Sequence, residues 1–201
     1  MDQQNENALS SEEEVSGVLS EERIAVFCVG NRLMLDDGIG PAVFDELASY
    51  EFPKNVELLD VGCMSLSMVG YVESCDYIIT VDAVDGTGQP AGTIFEFEPE
   101  DMARHTGAMA SLHDLKLVDL FDAAQLMGYT AEGRCFGMQV ENRSPEFVTE
   151  GLTPAVFDNL PLLVDTVLAN LVHRGVEVRY IETGELIRPG WHHCIQKFND
   201  E

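Results

Sequence analysis

A chain of 201 residues, 45% of them apolar, can bury the core of one α/β domain and is not a generally disordered protein. Its 36 acidic residues against 11 basic ones give a formal net charge of −25. Such a surface repels phosphate backbones and anionic lipid heads, so nucleic acids and membranes are disfavoured as partners. The charge is compatible with metal cations or with a partner that presents a basic patch.

The N-terminal segment, residues 1–22, is polar and acidic, and we expect it to be a flexible extension. It has neither a basic n-region nor an apolar h-region, which argues against a secretory signal. No apolar run approaches the roughly 20 residues that span a bilayer. The five cysteines are odd in number and form no CxxC pair, which favours reduced thiols and disfavours a structural zinc ribbon. These features together predict a cytoplasmic protein.

The domain is expected to begin at Arg23, where the composition changes abruptly. Residues 24–29 are a continuous β-prone apolar run, as is typical of a buried parallel strand. A helical pattern then starts at Ile39 and ends before Pro53. The chain therefore opens with a strand followed by a helix.

The middle of the chain continues this alternation. Residues 56–61 predict a second strand with a short helix after it, and residues 77–81 predict a third strand that ends at Asp82. Residues 92–97 alternate with a period of two, which predicts a strand with one less buried face. A helix is predicted over residues 111–127, with a serine as its N-cap.

The last third of the domain completes the pattern. Residues 135–140 predict another buried strand, and Thr153-Pro154 start the longest helix, with Thr as N-cap and Pro at the first helical position. Residues 176–181 predict a final strand, and residues 182–201 a polar, irregular tail. The alternation predicts a three-layer α/β/α domain over residues 23–181, with a mainly parallel, twisted central sheet.

In such folds the ligand crevice lies outside the carboxyl ends of the strands. The expected crevice loops are those that follow Val29, Val61, Val81 and Val140. The first loop carries Asp36 and Asp37 where a dinucleotide-binding loop would hold phosphate, so nucleotide binding is disfavoured. For Asp36 a structural capping role is favoured over a site role. For Asp37 the residue alone leaves both roles open.

Asp82 and His113 are the other candidate site residues. Asp82 directly follows an apolar run and can reach into the crevice, and the residue alone leaves a site role and a loop-capping role equally open. For His113 alone, near the start of a helix, a structural histidine is the simpler interpretation. Two carboxylates and one imidazole on separate crevice loops suit a borderline divalent ion with open positions, as hydrolytic metal sites need. Three ligands without a fourth indicate a weak or transient metal site.

Other reactive side chains are disfavoured as site residues. Cys63 lies in a crevice loop but has no local signature of a cysteine nucleophile. Near the C-terminus, His192, His193 and Cys194 are interpreted as part of a flexible tail rather than as a metal site. His105 is interpreted as solvent-exposed.

The motifs in this order resemble the hydrogenase maturation proteases. The resemblance spans about residues 24–175 and rests on Val29-Gly30-Asn31, Asp36 through Pro41, Leu58-Leu59-Asp60, Val81-Asp82-Ala83, Gly92-Thr93, Ser111-x-His113 and Gly151 through Pro154. Some members carry glutamate at the position of Asp37, and many carry Gly-Thr where this chain has Gly62-Cys63. The resemblance implies a phosphorylase/hydrolase-like fold and a metal site formed by Asp37, Asp82 and His113.

The function implied by the resemblance is removal of the C-terminal extension from a nickel–iron hydrogenase large-subunit precursor after nickel insertion. Nickel would be supplied by the precursor, and Asp37, Asp82 and His113 would complete its coordination. A carboxylate would act as general base, although the sequence does not identify which one. The resemblance also implies a monomer. Two alternatives stay open: a non-cleaving, nickel-dependent docking or checkpoint protein that uses the same ligands, and a self-sufficient metallohydrolase that acts on another peptide.

Overall fold

The computed structural model describes residues 22–62, 68–98, 120 and 122–188, together with the backbone of residues 195–197. Several of the predictions above lie outside these residues: those for the N-terminal extension through residue 21, and for Cys63, His105, His113, His192, His193 and Cys194.

The described elements are eight strands, three helices and one 3₁₀-helix. The strands are β1 Ile24–Val29, β2 Tyr50–Glu51, β3 Val56–Gly62, β4 Tyr77–Val84, β5 Ile94–Phe97, β6 Glu132–Gln139, β7 Arg179–Tyr180 and β8 Ile195–Lys197. The helices are α1 Ile39–Leu47, α2 Val69–Ser74 and α3 Pro154–His173, and the 3₁₀-helix is Leu35–Gly38. Residues 122–126 are also helical, within the helix predicted over residues 111–127.

Six strands form the central sheet, in the order β3-β1-β4-β6-β5-β8. Strands β3, β1, β4 and β6 are mutually parallel, while β5 is antiparallel to β6 and β8 is parallel to β5. Cys28 of β1 pairs with Asp60 on one side and Val81 on the other. The carboxyl ends of the four parallel strands therefore meet at one edge of the sheet, called the carboxyl edge below.

Both faces of the sheet are covered, as the continuous apolar run in β1 predicts. On one face Ile24, Val26 and Cys28 join a buried cluster with residues of α1 and α3. On the other face the alternate residues of β1 join a cluster that includes Val72 of α2 and Leu120. This arrangement confirms the predicted three-layer α/β/α fold with a mainly parallel sheet.

Among the described residues, α3 is the one helix long and apolar enough to cross a bilayer by length and composition alone. The helix is not a continuous apolar run, since Asp158 and Asp165 interrupt it. Half of the helix is buried in the fold, and it packs against α1 and β6. Its buried side chains, such as Leu163 and Val167, belong to the cluster on one face of the sheet.

Several predicted elements differ from those observed. The strand predicted over residues 92–97 was expected to have a less buried face, but three of the four residues of β5 are buried. Ile94 belongs to the cluster on one face of the sheet, and Phe95 and Phe97 belong to the cluster on the other. The strand predicted over residues 176–181 shrinks to β7, which pairs with β2 in a separate two-stranded sheet. Part of the predicted irregular tail, Ile195–Lys197, is an edge strand. The domain boundaries at residues 22 and 181 stay predictions.

Candidate functional site

The loop after β1 is shaped by Gly30, which adopts φ = 138°. A Cβ atom at this position would overlap the carbonyl oxygen of Asp37, so a glycine is required. The Asn31 N–H donates to the Asp37 carbonyl at 3.0 Å, and the Gly30 N–H donates to the Gly62 carbonyl at 3.0 Å. These contacts fix the 3₁₀-helix that carries Asp37 at the end of β1, next to the end of β3.

Asp36 is fully buried and ties this 3₁₀-helix to distant parts of the chain. Its Oδ2 accepts the N–H groups of Glu141 at 3.0 Å and Asn142 at 2.9 Å, and the Thr153 hydroxyl at 2.9 Å. Its Oδ1 accepts the Thr153 N–H at 2.6 Å. The structural role favoured for Asp36 is confirmed, although its partners are loop residues far along the chain. Thr153 is the N-cap residue of α3 and Pro154 its first residue, as predicted, but the Thr153 side chain makes no cap hydrogen bond and donates to Asp36 instead.

Asp37 and Asp82 are buried on neighbouring elements at the carboxyl edge. Asp37 is 6% exposed and lies in the 3₁₀-helix, which is packed beside β4. Asp82 is 9% exposed, and its Oδ1 accepts the Ala83 N–H at 2.7 Å. The prediction that the third strand ends at Asp82 is wrong, since β4 continues to Val84 and pairs with β6 along its whole length. Asp82 thus projects from a rigid strand rather than from a loop.

The direction of the Asp82 side chain follows from strand alternation. Ile78 and Val84, which share its parity in β4, belong to the cluster that contains Leu120 and Ala124. Asp82 therefore points to the face covered by the described end of the helix predicted over residues 111–127.

His113 lies outside the described residues, so its position relative to Asp37 and Asp82 stays a prediction. Within the described residues, no group of three histidine, cysteine, aspartate or glutamate side chains is placed to hold a metal ion. The structure thus places two of the three predicted ligands on adjacent elements and leaves the third untested.

Arg32 organises the crevice loops and was not identified from the sequence. Its Nη2 donates to Asp60 Oδ2 at 2.8 Å, to Asp45 Oδ1 at 3.0 Å and to the Pro41 carbonyl at 3.3 Å. The hydrogen bond from Arg32 lowers the pKa of Asp45. One guanidinium thereby joins the first crevice loop, α1 and β3. The sequence feature that could have identified Arg32 is its place inside a crevice loop of a chain with only 11 basic residues.

Gln139, also missed from the sequence, is a buried polar residue at the end of β6. Its Oε1 accepts the N–H of Thr87 at 3.1 Å and also the Thr87 hydroxyl, and its Nε2 donates to the Val140 carbonyl at 2.8 Å. These bonds fix the loop that follows β4. The signal was a polar residue within the otherwise apolar run 135–140.

The described cysteines are poor nucleophiles. Cys28, Cys75 and Cys135 are buried and form no disulfide with one another, and burial raises the pKa of the Cys28 and Cys75 thiols. They fit the predicted reduced, buried thiols.

A groove of about 360 Å³ opens beside the first crevice loop. It is lined by Arg32, Leu33, Gly38, Ala42, Asp45, Glu150, Gly151 and Leu152. A larger cavity of about 890 Å³ lies between α1, α3 and residues 180–188, and no predicted site residue lines it. The smaller groove reaches Gly38, the sequence neighbour of Asp37, but Asp37 itself does not line it.

Comparison with known families identifies one match along most of the chain. A family model described as hydrogenase maturation protease matches residues 41–170. The matched range includes Asp82 and His113 and begins after Asp37.

Curated relatives and solved structures agree with this match. The hydrogenase 2 maturation protease of Escherichia coli K12 is 31% identical over 157 residues, which cover 77% of this chain and 94% of that protein. A hydrogenase expression/formation protein, HupD of Rhodobacter capsulatus, is 31% identical over 163 residues, which cover 78% of this chain and 75% of that protein. The structure of the hydrogenase maturating endopeptidase HybD from E. coli superposes with a TM-score of 0.70 at 30% identity and covers 78% and 96%.

Proposed function

This chain belongs to the hydrogenase maturation protease family, and from that premise we propose that it removes the C-terminal extension of a nickel–iron hydrogenase large-subunit precursor after nickel insertion. The observation that carries the proposal is the pair of buried carboxylates, Asp37 and Asp82, on neighbouring elements at the carboxyl edge. In open α/β sheets this edge is where ligands bind. We further propose that the protein acts as a monomer in the cytoplasm.

Nickel enters this proposal as part of the substrate, bound to the precursor. Asp37, Asp82 and His113 are the residues that would engage it, and two carboxylate oxygens with one imidazole suit a borderline divalent ion. Two buried carboxylates close to one edge, in a chain of net charge −25, favour a cation near them. The metal would polarise the scissile carbonyl or lower the pKa of a bound water.

The residues of this chain bind and orient the precursor. Asp82 is held by β4, which pairs with a neighbour on each side, and Asp37 by the turn that Gly30 permits. One carboxylate takes the proton from the attacking water as general base. Asp36 and Arg32 hold the surrounding loops and touch no reacting atom. Because docking requires the metal, cleavage acts as a check that nickel insertion is complete.

The test is the intact mass of a purified large-subunit precursor after incubation with this protein, in nickel-loaded and nickel-free forms. We expect only the nickel-loaded precursor, and not the nickel-free form, to lose a C-terminal peptide. A stable complex without a mass change would instead support the docking or checkpoint protein. Cleavage of nickel-free precursor or of generic peptides would support the self-sufficient metallohydrolase.

A further inference from the structure

Three apolar side chains are exposed beside the loop that carries Asp37. Phe147 is 74% exposed, Val148 is 71% exposed, and Leu33 is 45% exposed. Phe147 and Val148 lie in the segment between β6 and α3, and Leu33 lies four residues before Asp37. Exposed apolar groups that cluster next to a crevice mark an interaction site more often than isolated ones do.

Backbone hydrogen bonds hold these side chains together. The Thr149 N–H donates to the Leu33 carbonyl at 3.0 Å, and the Leu35 N–H donates to the Thr149 carbonyl at 2.7 Å. The Thr149 hydroxyl donates to the Phe147 carbonyl at 2.9 Å. The N–H and the carbonyl of Thr149 thus both bond the segment that carries Leu33. These bonds fix the backbone on which the three apolar side chains stand, beside the 3₁₀-helix.

The surroundings of the cluster are mainly acidic and grooved, because Arg32, which also lines the groove, is paired with Asp45 and Asp60. Glu146 and Glu150 are exposed on either side of Phe147 and Val148. Glu150 also lines the 360 Å³ groove, together with Leu33 and Leu152. An apolar centre with an anionic rim is complementary to an apolar segment that carries basic side chains next to it.

We propose that Leu33, Phe147 and Val148, with the adjoining groove, form the surface on which the hydrogenase precursor docks. Its occupant is an apolar segment of the precursor flanked by lysine or arginine. The inference rests on the proposed function, because that function supplies the partner. It adds a contact that is separate from the proposed metal-binding residues and that lies beside the loop that carries Asp37.

The test compares the double variant Phe147→Ser/Val148→Ser with the control Leu126→Ser. Leu126 is 90% exposed, but it precedes the amino end of β6 and so lies at the opposite edge of the sheet. We expect the half-saturating concentration of nickel-loaded precursor to rise at least about tenfold in the double variant. The reason is that the variant no longer has the two apolar side chains that binding would bury. The control should match the wild type. Urea unfolding of each variant checks that the fold is intact.

Direct binding to immobilised precursor separates this inference from the proposed function. If the wild type cleaves the precursor and the double variant has the same half-saturating concentration, the docking inference is overturned and the proposed function stands. If the wild type binds without cleaving and the double variant binds more weakly, the docking surface stands and the protease proposal fails. If the wild type neither binds nor cleaves, both are overturned.

Discussion

Replacing Asp36 by alanine should destabilise the protein far more than loss of an ordinary surface carboxylate. The fully buried side chain accepts four hydrogen bonds, three of them from backbone N–H groups that would lose their partner. A hydrogen bond to a charged group contributes about 1.5–3 kcal/mol, but water can reach part of the exposed loop at Glu141 and Asn142. We therefore expect the free energy of unfolding to fall by about 3–5 kcal/mol.

Urea unfolding followed by circular dichroism measures this loss, and Asp158→Ala is the matched control. Asp158 is exposed on α3. Its replacement by alanine removes one negative charge, as Asp36→Ala does, but leaves the Asp36 contacts intact. The control should change the free energy of unfolding by less than about 0.5 kcal/mol. A loss below about 1 kcal/mol for Asp36→Ala would contradict the inference that this carboxylate joins the crevice loops.

Three further predictions follow from the packing around the site. Gly40→Ala should lower the free energy of unfolding by about 3 kcal/mol, because the new Cβ would overlap the Val29 carbonyl and push α1 off the sheet. Urea unfolding measures this loss, and an unchanged unfolding midpoint would contradict it. Arg32→Met should raise the pKa of Asp45 back to its ordinary range of about 4, which carboxyl NMR titration measures. In the wild type, stability from ionised Asp45 is fully present above that ordinary pKa and is lost as pH falls through the lowered folded pKa. An acid unfolding transition that is the same in the wild type and in the Arg32→Met variant would refute this. Cys28 should react with a thiol reagent only after unfolding, since burial raises its pKa, and rapid labelling of the native protein would show the opposite.

The sequence predicts the strands best where both faces are buried. The apolar run 24–29 coincides with β1, because a strand covered on both sides needs apolar residues at every position. The same rule misplaces the end of β4. Asp82 interrupts the apolar run, yet β4 continues to Val84 because β6 supplies backbone partners past that carboxylate. A carboxylate inside a strand is thus mistaken for a strand end.

Long-range contacts explain what the sequence leaves out. The partners of Asp36 lie 105 to 117 residues away along the chain, so local capping patterns cannot reveal them. Arg32 likewise acts through Asp45 and Asp60, which its own loop does not contain. Residues 176–181 contain two buried valines, Val176 and Val178. Both belong to the buried cluster that contains residues of α3, so their burial does not require a strand at these positions. The strand β7 is limited to Arg179–Tyr180.

The most direct test of the proposed site is the cleavage rate of nickel-loaded precursor by Asp37→Asn, Asp82→Asn and His113→Ala, beside wild type and the Asp158→Asn control. These substitutions remove a proposed metal-binding carboxylate or imidazole. For the two aspartates the side-chain volume changes little. We predict that each of the three lowers the rate at least about a hundredfold while Asp158→Asn keeps it. Wild-type cleavage by any one of the three variants would contradict the assignment of that residue to the site.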